Sequence, residues 1–157
     1  MLPANWVLRY EDTIPIVPQP KQRARTVRLK SGKLRTHTPD KTKQYEDAIA
    51  RWIRGAFTVR APRLAEKHQP VKLEVLCVFA RPQNMCRRAD PPGYVFKASR
   101  PDASNLLKSI EDGIEKAKKI LEDDAQIVDV HIQKVYGDKE QTPEIKLWIY
   151  TLGGDEE

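Results

Sequence analysis

Cysteine is nearly absent. The 157 residues hold two, Cys77 and Cys86. Their spacing fits neither a zinc module nor a Cys-x-x-Cys motif, so reduced thiols are expected. The histidines, His37, His68 and His131, form no ligand set. No apolar run approaches membrane-spanning length, and no basic helix with a bulky apolar face points to a membrane surface. The leading stretch MLPANWVLRYEDT lacks the charged-then-apolar order of a signal peptide, so the expected compartment is the cytoplasm. Internal repeats and low-complexity tracts are missing too. These absences leave a single globular domain over residues 1–157 with one modest core, frayed over about residues 153–157.

Acids are missing where bases gather. From Lys21 to Arg35 there are seven basic residues and no acid, and Arg81–Arg100 holds five basics against Asp90 alone. From Asp102 to Asp129 the balance reverses, with eight acids against four lysines. The net charge is +6 and the pI about 9.3, which favours acidic partners, nucleic acid first. Two basic segments beside one acidic cluster suggest a phosphate-binding surface next to a cation site.

The chain reads as an α+β domain, a small mixed sheet with two main helices on one face. Asn5–Tyr10 is a short strand with Trp6 and Leu8 on one side. The prolines of Ile14–Arg25 require an extended loop, and TVRLKSGKLRTHT is a hairpin turning at Ser31-Gly32. Thr38 is expected to cap a helix that starts with Pro39 and runs to about Gly55, with Tyr45, Ile49, Trp52 and Ile53 as its buried stripe. Pro70–Ala80 alternates as a strand. Arg81–Arg100 is a long polar loop of a length that is usually functional or disordered. The second helix spans about Asp102–Leu121, its apolar positions Leu106, Leu107, Ile110, Ile114, Ala117 and Leu121. Two strands follow, QIVDVHIQKVY with Val128, Val130 and Ile132 on one face, and PEIKLWIYTL.

Asp102 sits at the start of the second helix and Asp123-Asp124 just beyond its end. Each alone is an ordinary cap or solvated turn. Together, in a basic context, they suggest a Mg²⁺ site, because Mg²⁺ takes a few hard carboxylate oxygens and completes its shell with water. Phosphodiester hydrolysis uses such an ion. A straight helix to Leu121 would hold its two ends far apart. A helix from Asn105 to about Lys116, followed by a returning loop, would bring the pair back towards the N-terminal half. Gly113 is a possible bend.

The segments RPDASNLLKSIEDGIE and LEDDAQIVDVHIQKVYG, with PQPKQRARTVRLKSGKLRTHTPDKTKQYEDAIA before them, resemble the RusA family of Holliday junction resolvases. The resemblance covers nearly the whole chain except an enlarged Arg81–Ser99 loop. It implies a dimeric RusA-like fold and a Mg²⁺-dependent endodeoxyribonuclease, with Mn²⁺ a possible substitute, that cuts four-way DNA junctions by paired nicks in recombination and repair. A bacterial or phage origin is implied as well. By position it makes Asp102 the first metal-binding acid, Asn105 the motif Asn, Lys108 the functional lysine, Asp112 the helix acid and Asp123-Asp124 the final pair, Asp124 being the better ligand. The third carboxylate is left open among Glu111, Asp112 and Asp123.

Ser104 stands where the family has a second Asp, and a serine is a poor Mg²⁺ ligand. Glu111, two turns on along the same face, is the expected replacement. Lys108 would bind the scissile phosphate or stabilise charge as it is cut. Lys21, Arg23, Arg25, Arg28, Lys33 and Arg35 of the arm and hairpin, with Arg87, Arg88, Lys97 and Arg100 of the loop, are the expected DNA contacts, electrostatic and indifferent to sequence. Alternation places Arg23, Arg25 and Arg35 on a common side. Two rivals remain: a branched-DNA-binding protein weakened in catalysis, favoured by Ser104, and a nuclease for other branched DNA.

Overall fold

The computed structural model describes residues 1–153. Alternating apolar residues on three long strands, β1 (Trp6–Ile14), β4 (Val71–Phe79) and β7 (Glu144–Leu152), meet β6 (Ile127–Tyr136) and the short β5 (Val95–Phe96) in a five-stranded sheet. Its order is β1-β7-β4-β6-β5. Only β4 and β6 run parallel, with the return between them made through the second helix, as a parallel pair requires. Register sets Leu73 opposite Ile149, Val75 opposite Leu147 and Cys77 opposite Ile145. All of these side chains are buried on one face, and that face carries α1 (Asp40–Gly55) and α2 (Ala103–Ala117). The domain is α+β, with a mixed sheet and two helices on one face.

The hairpin β2 (Arg25–Arg28) and β3 (Leu34–His37) forms a separate two-stranded sheet exposed along both strands. It turns where Gly32 adopts φ +80°, a backbone that glycine tolerates. Among the described residues, no helix is long and apolar enough to cross a membrane.

Several details differ from the sequence expectation. β1 continues to Ile14, four residues past Tyr10. Helix α1 begins at Asp40 after Pro39, with no side-chain cap from Thr38. Trp52 is not in the buried stripe: it is 45% exposed, and its indole N–H donates to Asp12 Oδ2 at 3.1 Å. Tyr45, Ile49 and Ile53 are buried as expected, joined by Thr42, Glu46 and Ala50. On β6, Val128 and Val130 are exposed while Ile127 and Ile132 pack on the core. A register shift opposite Val71/Lys72 makes Val128 the inserted residue and turns Ile127 inward, whereas Val130 and Ile132 share a face opposite Leu73 and Val75 as expected. The amide of Gly153 donates to Asn5 O, and the remainder of the expected frayed tail lies outside the described residues.

Candidate functional site

The site depends on where α2 stops. Its last residue is Ala117, and Lys118 takes the left-handed conformation that ends a helix. The next residues turn back, with Ile120 and Leu121 fully buried. Backbone bonds from Leu64 N to Lys119 O (3.0 Å) and from Ala65 N to Ile120 O (2.8 Å) fasten this turn. Apolar burial therefore returns Asp123-Asp124 to the flank of α2, as the shorter helix required.

The pair then divides. Asp123 caps a single 3-10 turn, its Oδ1 accepting from Ala125 N at 2.8 Å. Gln126 answers it, its Oε1 accepting from Asp123 N at 3.2 Å and Glu122 N at 2.9 Å. Asp124 points the other way, to Lys108. The Lys108 ammonium donates to Asp124 Oδ2 at 2.7 Å and lies 3.3 Å from Asp112 Oδ1.

Asp112, Glu115 and Asp124 each offer a carboxylate oxygen within 4.8 Å of the others. Three hard oxygens at this spacing fit a divalent cation of the Mg²⁺ type. Glu115 is the member that the sequence reading missed. Its signal was present, three residues after Asp112 and seven after Lys108 on one helical face. Glu111, Asp102 and Asp123 stand outside this group. Glu111 is half-buried beside it, and burial pushes its carboxyl up, with Lys108 opposing and Asp124 and Asp112 adding to the rise.

Asp102 occupies the N-cap position of α2, yet its side chain makes no capping bond. It lines a groove with Pro18, Pro20, Lys21, Phe79, Arg100, Pro101 and Asn105. Lys21 links that groove to the acids. Its backbone N–H donates to Asn105 O at 3.0 Å, and its ammonium bonds Asp112 Oδ2 and lies 3.6 Å from the buried Glu46. Ser109 Oγ holds the same proline-rich arm through Gln19 O at 2.7 Å. Glu46 also pairs with Lys116 at 2.9 Å. Charges thus alternate from Lys116 through Glu46, Lys21, Asp112 and Lys108 to Asp124.

Of the basic residues expected at DNA, Arg23, Arg25, Arg28, Lys33, Arg35, Arg87, Arg88 and Arg100 are exposed. Lys21 and Lys97 have internal partners. Lys97 donates to Ser99 Oγ at 2.7 Å and stands over the Phe79 and Tyr136 rings at 5.3 and 5.1 Å. In the hairpin, Val27 opposes Arg35, so Arg25 and Arg35 share a side and Arg28 takes the other. The Arg81–Arg100 loop is built around Arg81, which is 8% exposed. Its guanidinium donates to Gly137 O at 2.7 Å, Met85 O at 3.1 Å and Gly93 O at 2.6 Å.

The hydrogen bond to Lys108 holds the Asp124 carboxyl below its ordinary value of 3.8, against an opposing effect of burial. The same bond holds Lys108 above the usual lysine range. A depressed carboxyl stabilises the fold above its unfolded value and loses that contribution as pH falls through its folded one. In a carboxyl NMR titration, Asp124 is therefore expected to titrate below 3.8 in the wild type and to move upward in Lys108→Met. An unchanged midpoint would refute the pairing.

A family model described as Endodeoxyribonuclease RusA matches residues 15–149. No curated protein matches the chain.

Proposed function

Because the chain belongs to the RusA family of endodeoxyribonucleases, we propose that it is a divalent-metal-dependent nuclease that resolves four-way DNA junctions by paired nicks. The observation that carries this is the convergence of Asp112, Glu115 and Asp124, two of them paired with Lys108, in a chain whose hairpin and long loop carry exposed arginines. Asp112, Glu115 and Asp124 hold the ion. Asp102, its carboxylate not used for capping, begins α2 ten residues, about 15 Å of helix, before Asp112, so in this proposal it is the ligand of an alternative set with Asp124 and not a fourth partner of Asp112 and Glu115; Glu111 and Asp123 stand at the margin. The chemistry such an ion supplies is positive charge at the phosphate and a more acidic water. Mg²⁺ is the physiological choice and Mn²⁺ a substitute, since both suit oxygen ligands.

Lys108 then has two tasks. In the free protein it neutralises Asp112 and Asp124. Were a cation to take those oxygens, the Lys108 ammonium would be free to meet the scissile phosphate, where a fixed positive charge stabilises the negative charge that develops. Lys21 keeps Asp112 oriented from the opposite oxygen. Arg100, Arg87, Arg88 and the hairpin arginines bind the phosphodiester backbone without reading sequence. Paired nicks need two sites, so a symmetric homodimer is part of the proposal, as are a single domain throughout the chain and a bacterial or phage setting in the cytoplasm.

Ser104, exposed one turn before Lys108, favours one alternative, a branched-DNA-binding protein weakened in catalysis. The test is a synthetic four-way junction incubated with Mg²⁺ or EDTA, beside flap, fork and nicked-duplex substrates. Symmetric, Mg²⁺-dependent nicks in the junction are expected. Tight binding with no cutting in Mg²⁺ or Mn²⁺ would establish the binder, and faster cutting of flaps or forks would move the substrate to other branched DNA.

A further inference from the structure

Lys134 sits where the pattern of β6 calls for an apolar residue. Its register partner is Cys77, whose side chain is fully buried, and Ile132 two residues earlier packs on the core. A lysine on that side of the sheet must bring its ammonium to acceptors. Those acceptors are two backbone carbonyls, Ser99 O and Pro101 O, each at 2.7 Å. Lys97 holds the same turn from the other side. Its backbone N–H donates to Lys134 O at 3.1 Å, and its ammonium donates to Ser99 Oγ at 2.7 Å. The turn so gripped carries Arg100 and leads directly into Asp102, both on the wall of the groove that contains Lys21 and Asn105.

We propose that Lys134 is a positioning residue for cleavage: by tying Ser99 O and Pro101 O to β6, it fixes where Arg100 and Asp102 stand relative to α2. The inference rests on the proposed reading of Asp102 as a metal ligand with Asp124. It sets Lys134 apart from the arginines of the hairpin and loop, because its hydrogen bonds are directed to the protein and not to phosphate.

The test compares wild type, Lys134→Met, Lys134→Arg and Asp102→Asn. Methionine keeps most of the stem and removes the ammonium. In Lys134→Met, the backbone 15N order parameters of Arg100 and Asp102 are expected to fall from the rigid value of about 0.85 to below about 0.6, while those of β4 do not change. The cutting rate at saturating junction and Mg²⁺ is expected to fall about 10–100-fold, the range typical of residues that orient metal ligands. Junction affinity in EDTA, its stoichiometry and its salt dependence should stay as in the wild type. A lysine that contacts phosphate would instead lower the salt slope by about one on removal, and that result with cutting retained would overturn the proposal. Wild-type order parameters at Arg100 and Asp102, or lowered ones with wild-type cutting, would overturn it too. If Lys134→Met does not fold, Lys134→Arg, which retains charge but not the fit between two carbonyls, should show the lower cutting rate with an unchanged salt slope, and wild-type cutting would refute the role. Asp102→Asn separates the two levels. Normal cutting by that variant removes Asp102 from the site and the inference with it. An inactive Asp102→Asn beside a fully active Lys134→Met removes the inference alone.

Discussion

Asp124→Asn is expected to cut a four-way junction at least about a hundredfold more slowly than the wild type, because losing a ligand should exceed the 10–100-fold cost typical of its outer partners. Asparagine keeps the shape and removes the charge. Asp124 is the acid that the returning turn delivers to α2, and it is both a member of the three-carboxylate group and the nearer partner of Lys108. Removing its charge leaves Asp112 and Glu115 to hold a cation and leaves Lys108 with Asp112 at 3.3 Å. Saturating Mg²⁺ should recover little of the rate if the ligand itself is missing. Asp123→Asn is the informative comparison. Asp123 caps the 3-10 turn, so its replacement should cost far less, with asparagine able to cap in its place. Single-turnover cleavage at saturating protein measures both. A rate for Asp124→Asn within about tenfold of wild type would dissociate this acid from the chemistry.

The second large effect concerns stability. Gly113 lies where α2 crosses α1, and a Cβ built there falls 2.8 Å from both Cβ and Cγ2 of Ile49 and 3.3 Å from Glu46 O. Ile49 is fully buried and its Cβ cannot swing aside. Gly113→Ala should therefore force the helices apart, an overpacking cost of about 1–3 kcal/mol, offset by up to about 1 kcal/mol of helix propensity. A net loss of about 1–2 kcal/mol corresponds to a Tm lower by roughly 2–8 °C for a chain of this size. Calorimetry checks it, and a Tm equal to or above wild type would show that the contact relaxes freely. In Ile49→Ala/Gly113→Ala the Cγ2 contact is relieved but the Cβ contact stays, so the double variant should recover only part of the overpacking and the two losses should be slightly less than additive. The sequence marked Gly113 as a possible bend. The structure keeps α2 continuous through it and uses the missing side chain for close approach.

The elements were largely readable because their apolar periods differ, two on the strands and near 3.6 on the helices. The errors arose where a period meets a local interruption. Val128 fits a strand face on paper, but the register shift near Val71 makes it the inserted residue and turns Ile127 inward, while Val130 keeps the side of Ile132 and is 37% exposed there. Trp52 looked like core by its chemistry, yet its ring edges out of the α1 stripe to reach Asp12. For the site, Lys108 and Asp124 were each legible, and so was an early helix end that returns Asp124 to α2, but their pairing was not. Glu115 resembled any solvated helix acid until Asp124 came to its side. The tie from Lys21 to Asp112 and Glu46 joins an arm and two helices far apart in the chain, and no local pattern announces it. Lys97 was expected at DNA and Lys134 drew no reading for the same reason: whether an ammonium faces carbonyls or solvent is a tertiary fact.

The guanidinium of Arg81 has a bearing on how quickly DNA can be seized. A long loop that sampled many shapes would have to be captured in the right one, and every successful encounter would carry the loss of that freedom. Here three carbonyls from distant parts of the loop and from Gly137 already converge on one buried side chain. Arg87 and Arg88 are thus displayed on a frame set during folding. Recognition on this side of the molecule should resemble the docking of a rigid template more than the closing of a hand, with association governed by charge and ionic strength and with little wait for the loop to arrange itself.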